Sequence, residues 1–256
     1  MSRVNHILNF QLSTLNFQLK KMLIGQDYPK IEFELFGLNL VEPNAFIGDL
    51  IIFLVALYYY FKVKKQELNG SDDFLKNWRL FYLWFGISFL CGGFGHVLYN
   101  YTGVMGKTPS WFLGLLAPYF IEQAMLSIYP NVSRRKLFRQ ISTIKLVVFA
   151  LLELVILCVF DISDAPEKGL LLPTLSTTAG LFICLGILGF YYQRKLHPSF
   201  KYLWYAMIVL ILSAIPQAMK INIHQYWDRN DVSHIFLLLA LVLYYQTIRH
   251  YRCSSL

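Results

Sequence analysis

Residues 227–250, WDRNDVSHIFLLLALVLYYQTIRH, decide the class of fold to which the chain is assigned. The stretch opens with a polar cluster at residues 228–231 and then carries one histidine, His234, into an unbroken apolar run. A run of this length can cross the hydrocarbon core of a bilayer as a helix. Asn230 and Asp231 precede His234 by four and three residues, so the three side chains share one helix face. The stretch therefore predicts a membrane helix with a polar face at one end.

Composition places the whole chain in the membrane class. The 256 residues are 56% hydrophobic and 15% charged, and their mean hydropathy is +0.47, whereas a soluble domain is about 25% charged. The net charge of +8 is compatible with nucleic acid binding, but the Lys and Arg residues lie beside apolar runs, where positive charge fixes membrane orientation. We therefore expect membrane lipids as partners and no nucleic acid, and the sequence leaves the oligomeric state open.

Seven apolar runs predict an all-α integral membrane bundle of seven transmembrane helices within residues 44–252, followed by a tail at residues 253–256. The predicted spans cover approximately residues 44–61, 78–100, 110–129, 144–160, 170–192, 202–219 and 227–250. Pro216 is expected to interrupt the sixth span, because proline removes a helix hydrogen bond.

Residues 1–43 precede the predicted bundle as an extension and a polar lead-in. The extension contains a doubled heptad, LNFQLST followed by LNFQLKK, at residues 8–21. It is too short and polar to span a membrane, and it lacks the cleavage region of a signal peptide. Two interpretations stay open: an amphipathic surface segment, or a non-native start at residues 1–21 upstream of a true start at Met22.

The distribution of positive charge predicts the orientation. Clusters of Lys and Arg follow spans one, three and five and occur in the C-terminal tail, whereas the other loops hold only Lys107, Lys168, Lys220 and Arg229. Cytoplasmic loops carry the excess of Lys and Arg. We therefore expect a multi-pass protein of the cell membrane with its N-terminus outside and its C-terminus in the cytoplasm.

This orientation places several polar positions from four spans at one depth near the outer face: Asp49, His96, Gln217, Lys220 and His234. An ionisable side chain within a membrane costs about 2.5–3.5 kcal/mol, so it usually faces a cavity or a partner. A neutral imidazole can bind metal or transfer a proton, which makes the two histidines candidates for ligation or catalysis. Their alternative role is hydrogen-bonded packing. Asn230 and Asp231 equally suit helix N-cap positions.

Two further acidic residues lie within predicted spans. Glu122, one turn after Pro118 in span three, fits either a proton relay or half of a buried ion pair. Glu153 in span four is expected to be a structural partner for a Lys, Tyr or Trp side chain.

The seven spans and the two histidines resemble the CREST superfamily, which groups alkaline ceramidases, the progestin and adipoQ receptors and related membrane hydrolases. In that group a histidine of span two, in Ser-x-x-x-His, and two histidines of span seven, in His-x-x-x-His, hold a zinc ion. His96 matches the span-two histidine and His234 the second histidine of span seven. Gly92 stands at the motif's serine and Asn230 at the first span-seven histidine. A third protein ligand would come from Asp231, Asp49 or His224.

The resemblance implies a zinc-dependent membrane hydrolase in which a metal-activated water attacks a lipid amide or ester. The metal ligands would be His96 and His234, with Asn230 or Asp231 completing the shell. The groups that assist catalysis would be Ser88, Asp49 and Asp231. The alternative is a non-enzymatic, receptor-like or small-solute-binding seven-helix protein that uses the same polar residues without metal. In general character the chain is also similar to bacterial polytopic membrane proteins.

Overall fold

The computed structural model of the protein describes residues 23–67, 72–163 and 166–253, without the side chains of residues 166, 167, 252 and 253. The doubled heptad at residues 8–21 and residues 254–256 of the tail lie outside the described residues. The predictions made for those segments therefore stay predictions.

Seven long helices, here α1 to α7, make up most of the described chain. They are α1 Pro43–Glu67, α2 Asp73–Val97, α3 Thr108–Ser127, α4 Val132–Val159, α5, α6 Lys201–Met219 and α7 Arg229–Cys253. Helix α5 consists of Pro166–Leu181, a π-helical segment Phe182–Leu188, and Gly189–Lys195. A single helical turn, Tyr99–Thr102, and a 3-10 segment, Gly103–Lys107, connect α2 to α3. The helix continues through Pro216, so the predicted interruption of the sixth span is wrong; the helix ends three residues later in any case.

Six of the described helices are long and apolar enough to cross a membrane, and α3 is not among them. Helix α3 carries Pro118, Glu122 and Gln123, and all three are buried. It packs against α2 on one side and against α4 and α5 on the others. A helix enclosed by other helices does not need the all-round apolar surface of a lipid-facing helix. Its enclosure therefore explains how α3 can carry Pro118, Glu122 and Gln123 within the bundle.

Helix α4 has the most extensive apolar surface of the bundle. Its buried residues are Ser142 and Glu153, whereas its exposed face carries Leu137, Ile141, Ile144, Val147, Val148, Leu151, Leu152, Leu154, Val155 and Val159. An exposed apolar face of this extent is unfavourable in water but is solvated by hydrocarbon. The burial pattern therefore supports a membrane environment for the bundle.

The segment predicted as a polar lead-in is folded from residue 23 onward. Strand β1 Leu23–Ile24 pairs antiparallel with β4 Ile221–Asn222, which follows α6. Strands β2 Glu32–Leu35 and β3 Leu38–Val41 form a hairpin, whose turn residues Phe36 and Gly37 both have positive φ, as two-residue hairpins favour. These strands lie at the end of the bundle where α1 and α7 begin, so they cover the level predicted for the site.

An aromatic core fixes α1, α2 and α7 relative to one another in the half of the bundle where α2 begins and α7 ends. Trp78, Phe81 and Tyr82 of α2 are buried together with Tyr244 of α7. The Tyr82 hydroxyl donates to the Leu241 carbonyl oxygen at 2.9 Å. Close packing of this kind has little freedom to rearrange. It therefore holds the opposite ends of these helices in register as well.

Candidate functional site

A cavity of about 1000 Å³ lies at the end of the bundle where α1, α3 and α7 begin and α2 and α6 end. The residues singled out in the sequence that line it include Asp49, Ser88, His96, Gln217, Lys220, Asn230 and His234. Asp231 is not part of the lining, although it belongs to the same helix turn as Asn230. Four helices thus bring their predicted polar residues to a single cavity, which we call the outer cavity.

Asp49 and His234 form the more deeply buried of two carboxylate–histidine pairs, here the inner pair. His234 Nε2 lies 3.2 Å from Asp49 Oδ1, and the two side chains are 13% and 7% exposed. The other ring nitrogen, Nδ1, is buried and has no hydrogen-bond partner among the residues that the structure describes. A Cβ atom at Gly48 would lie 2.4 Å from this nitrogen, so only glycine leaves room for the imidazole beside α1. The edge of the Phe89 ring contacts the imidazole from α2.

Two glycines of α2, Gly92 and Gly93, lie against Asp49 of the inner pair. A Cβ at Gly93 would lie 3.1 Å from Asp49 Cβ, and one at Gly92 would lie 3.5 Å from Asp49 Oδ2. Small residues allow membrane helices to approach closely. Gly92 and Gly93 therefore allow α2 to pack closely against Asp49 of α1.

Glu42 and His96 form the second carboxylate–histidine pair, here the outer pair. His96 Nδ1 lies 2.7 Å from Glu42 Oε2, and Lys30 Nζ lies 3.6 Å from the same oxygen. Glu42 has a φ of 53°, a left-handed conformation that non-glycine residues seldom adopt and that is frequent at functional sites. Although burial alone would raise the pKa of Glu42, the hydrogen bond to His96 and the charges of His96, Lys30 and Lys107 lower it to about 2.

Lys107 presents an ammonium group to the outer cavity from the 3-10 segment before α3. Burial lowers the pKa of Lys107, and Lys30 adds to the effect, while Glu42 and Asp49 oppose it. No carboxylate of the described residues lies within 4.0 Å of Lys107 Nζ. Its nearest ring contact is Tyr99, at 5.8 Å from the ring centroid. Lys107 is therefore a partly buried cation without an ion-pair partner within 4.0 Å in the described part of the chain.

Ser88 lies in the same wall but uses its proton structurally. Its hydroxyl donates to the Ser110 carbonyl oxygen at 2.8 Å, and the Ser110 hydroxyl donates to the Lys107 carbonyl oxygen at 2.7 Å. These bonds fix the first turn of α3 against α2. The Ser88 oxygen retains the capacity to accept a hydrogen bond.

The start of α7 is a capping box. Asp228 Oδ1 accepts hydrogen bonds from the backbone N–H groups of Asn230 and Asp231, and Asp231 Oδ2 accepts one from the Asp228 N–H at 3.0 Å. Such reciprocal bonds satisfy N–H groups that a helix start leaves free. The N-cap position expected for Asn230 or Asp231 is therefore held by Asp228, and Asp231 completes the capping box from inside the helix. Asn230 lines the cavity and accepts a hydrogen bond from Gln217 at 2.9 Å.

The described side chains do not assemble a shared metal site. They contain no group of three or more His, Cys, Asp and Glu residues placed to hold an ion. His96 and His234 each pair with a separate carboxylate, and His224 Nδ1 accepts a hydrogen bond from the Tyr226 N–H outside the cavity lining. In this arrangement the two histidines do not share a ligand position. The zinc site of His96, His234 and Asn230 or Asp231 stays a prediction.

The two acidic residues of spans three and four lie away from the outer cavity. Glu122 forms an ion pair with Lys145 of α4 and accepts a hydrogen bond from the Ser142 hydroxyl at 2.6 Å. Of the two roles expected for Glu122, a proton relay or half of a buried ion pair, these contacts correspond to the ion pair. Glu153 is fully buried, but neither of its carboxylate oxygens has a hydrogen-bond partner among the described residues. The Lys, Tyr or Trp partner expected for Glu153 is therefore not found there.

Four residues at the cavity were not predicted as site residues from the sequence: Lys30, Glu42, Gly48 and Lys107. Glu42 stands directly before Pro43, the first residue of α1, at the level predicted for His96. This position could have identified it, because a carboxylate at the outer end of span one faces the outer end of span two. Gly48 has no such signal in one sequence, since its role depends on where the His234 ring lies.

Comparison with known families gives one result. A family model described as "Family of unknown function (DUF6962)" matches residues 45–252, a range that includes nearly all of α1 to α7. No curated protein and no solved structure matches the chain. Any functional assignment therefore depends on the outer cavity itself.

Proposed function

We propose that this chain, which belongs to the DUF6962 family of unknown function, is a seven-helix membrane protein that binds a small anionic solute in its outer cavity. In this arrangement α3 is the seventh, enclosed span. The N-terminus lies outside and the C-terminus in the cytoplasm of a cell membrane, as the positive loop charges favour. The cavity then opens toward the external medium.

The observation that carries this proposal is that Lys107 has no ion-pair partner within 4.0 Å among the described residues. The cavity wall also contains Lys30, Lys220 and Arg229, together with the acidic residues Asp27, Glu42, Asp49 and Asp228. Asp27 pairs with both Lys220 and Arg229, at 3.7 and 2.5 Å. Glu42 pairs with Lys30 and His96. A partly buried cation without a direct partner is costly, so a carboxylate or phosphate of the ligand would stabilise the site by contacting Lys107.

The inner pair supplies the second point of recognition. Asp49 lines the cavity, and its Oδ1 contacts His234 while no described group forms an ion pair with Oδ2. A carboxylate accepts several hydrogen bonds. We therefore expect a ligand that combines an anionic group with a hydroxyl or ammonium donor that reaches Asp49.

Thermal unfolding of the purified full chain in detergent tests the proposal. The probes are L-glutamate and glycerol 3-phosphate, with glycerol as the neutral control. At a concentration 100 times its dissociation constant, a ligand stabilises the folded state by about 2.7 kcal/mol. We expect one of the anionic probes to raise the Tm of the wild type, and this increase to be lost in Lys107→Gln. The matched control, Lys64→Gln, removes an exposed charge at the other end of α1 and should keep the full response.

Two outcomes would contradict the proposal. The first is a Tm that neither anionic probe raises above the value in glycerol. The second is an increase of equal size in Lys107→Gln, which would place anion binding outside the outer cavity.

A second candidate function is hydrolysis of a lipid amide or ester. The observation that favours it is the contact between Asp49 and His234 in the cavity that Ser88 also lines, because a carboxylate that orients an imidazole is the usual support of a general base. His234 Nε2 faces Asp49 and Nδ1 faces Gly48, so the imidazole would have to turn before it could accept a proton from a nucleophile.

Metal analysis separates the two candidates. About one equivalent of zinc in the purified protein, lost in a His96→Ala/His234→Ala variant together with hydrolysis of a long-chain fatty acid amide, would support the predicted metal-dependent hydrolase. Metal content and amide turnover that do not change in that variant would exclude both histidines as ligands of a catalytic metal.

A further inference from the structure

A second cleft, of about 910 Å³, lies between α3 and α4 at the opposite end of the bundle from the outer cavity. Three cations line it: Arg135, Lys136 and Arg139. Gln140 and Thr143 add hydrogen-bonding groups on the next turns of α4, and Ile144 closes the side toward the middle of the helix. The cleft is therefore basic near the start of α4 and apolar toward the middle of the helix. We call it the basic cleft.

Asp73 pairs with Arg139, whereas Arg135 and Lys136 have no ion-pair partner among the described residues. Arg139 Nε donates to Gln123 Oε1 at 2.8 Å, and its Nη1 contacts Asp73 at 2.9 Å. Arg135 Nε donates to the Tyr129 carbonyl oxygen at 2.8 Å, which leaves the rest of its guanidinium for another acceptor. The cleft lining contains no acidic residue, and no described carboxylate lies within 4.0 Å of Arg135 or Lys136.

An apolar surface continues directly from this positive charge. Leu137, Ile141 and Ile144 are exposed on α4 beside the cleft, and the exposed apolar face of α4 extends from them along the rest of the helix. A soluble anion would use the charges and leave this surface unused. A phospholipid matches both parts, because its phosphate fits the cations and its acyl chains cover the apolar side chains.

We propose that the basic cleft binds the phosphate of an anionic phospholipid. The position agrees with the expected orientation, in which α4 begins at the cytoplasmic face, where anionic lipids concentrate. The inference is independent of the proposed function, since the cleft shares no residue with the outer cavity.

Native mass spectrometry of the full chain in detergent tests this proposal. The probes are dioleoylphosphatidylglycerol, its zwitterionic counterpart dioleoylphosphatidylcholine, and glycerol 1-phosphate as the free phosphate. We expect phosphatidylglycerol to bind the wild type more tightly than either of the other two. Each Lys or Arg near a lipid surface contributes about fivefold in affinity, so Lys136→Gln should weaken phosphatidylglycerol binding about fivefold and Arg135→Gln/Lys136→Gln about twenty-fivefold.

Lys64→Gln/Lys65→Gln is the matched control, because these exposed lysines lie near the end of α1 on the same side of the bundle and line neither cavity. An equal loss of affinity in this control would show that only general surface charge attracts the lipid. Equal binding of phosphatidylcholine, or binding of glycerol 1-phosphate as tight as that of phosphatidylglycerol, would also overturn the proposal. Arg135→Gln removes the hydrogen bond to the Tyr129 carbonyl oxygen and could weaken the fold. Lys136 is exposed, so the loss of lipid affinity in Lys136→Gln alone tests the proposal without this effect.

Discussion

The inner and outer pairs join the same two chemical groups, a carboxylate and an imidazole, in different surroundings. In the inner pair the side chains of His234 and Asp49 are 13% and 7% exposed, whereas those of His96 and Glu42 in the outer pair are 21% and 22% exposed. Lys30 shares the outer carboxylate, while no described Lys or Arg side chain lies within 4.0 Å of the Asp49 carboxylate. Since charge interactions strengthen as the local dielectric constant falls, the inner pair should act as a unit and the outer pair as one part of a network.

The largest expected effect is that of His234→Ala, which leaves Asp49 buried without its partner. Breaking a buried pair by removing one member costs about 3–5 kcal/mol. We expect a loss of this size in the free energy of unfolding at pH 7, measured by denaturation of the purified protein in detergent. A smaller loss in Asp49→Ala/His234→Ala than in His234→Ala alone would show that the penalty comes from the unpaired carboxylate. A His234→Ala variant as stable as the wild type would show that Asp49 and His234 do not stabilise each other.

Gly48→Ala should have the next largest effect, because its Cβ would lie 2.4 Å from His234 Nδ1. Overpacking of this kind costs about 1–3 kcal/mol, and the displaced imidazole would move away from Asp49. Gly114→Ala is the matched control, since Gly114 lines the same cavity and its Cβ would meet only Ser88 Oγ, at 3.7 Å. The Tm of both variants provides the measurement. Equal Tm values would mean that the imidazole accommodates the methyl group without cost.

The fold was largely predictable because apolar runs identify membrane helices. Hydropathy detects the part of a helix that faces lipid, however, and not the helix itself. Helix α4 starts at Val132, well before the predicted boundary at residue 144. The prediction began too late because the first turns of the helix carry Arg134, Arg135 and Arg139, which lower the local hydropathy. Helix α3 shows the opposite limit, since its buried polar residues keep it outside the apolar class although it packs within the bundle.

The sequence predicted the depth at which the candidate site residues lie but not which side chains pair with one another. Loop charges and span order placed His96 and His234 at one level, and both line the outer cavity. Their partners depend on the rotation of each helix about its axis, which a single sequence does not specify. Glu42 lies outside the spans, and the placement of Asp49 beside His234 requires the close approach that Gly48, Gly92 and Gly93 permit.

The pH dependence of stability tests the network around Glu42. Its pKa is about 2 in the folded protein and 4.5 ordinarily, so its contribution is complete above pH 4.5 and is lost as the pH falls toward 2. We expect Glu42→Gln to cost about 2 kcal/mol at neutral pH, less than the full shift implies because the side chain is partly exposed. Unfolding measured from pH 7 to pH 3 should show the difference from the wild type shrinking as the solution is acidified. A constant difference would indicate that the charge of Glu42 plays no part.

The smallest effect should be that of His96→Ala, because Glu42 keeps Lys30 at 3.6 Å and a partly exposed carboxylate can also be hydrated. Ion pairs in contact with solvent contribute about 0–1 kcal/mol, so the Tm of His96→Ala should fall by less than that of Glu42→Gln and by much less than that of His234→Ala. Both variants remove an imidazole from the same cavity, so the difference isolates the depth of burial. A zinc ion held by both histidines predicts a different result, since either substitution would then remove a ligand. Equal Tm losses in the two variants, reproduced in the wild type by a chelator, would therefore replace the two separate pairs with one shared metal.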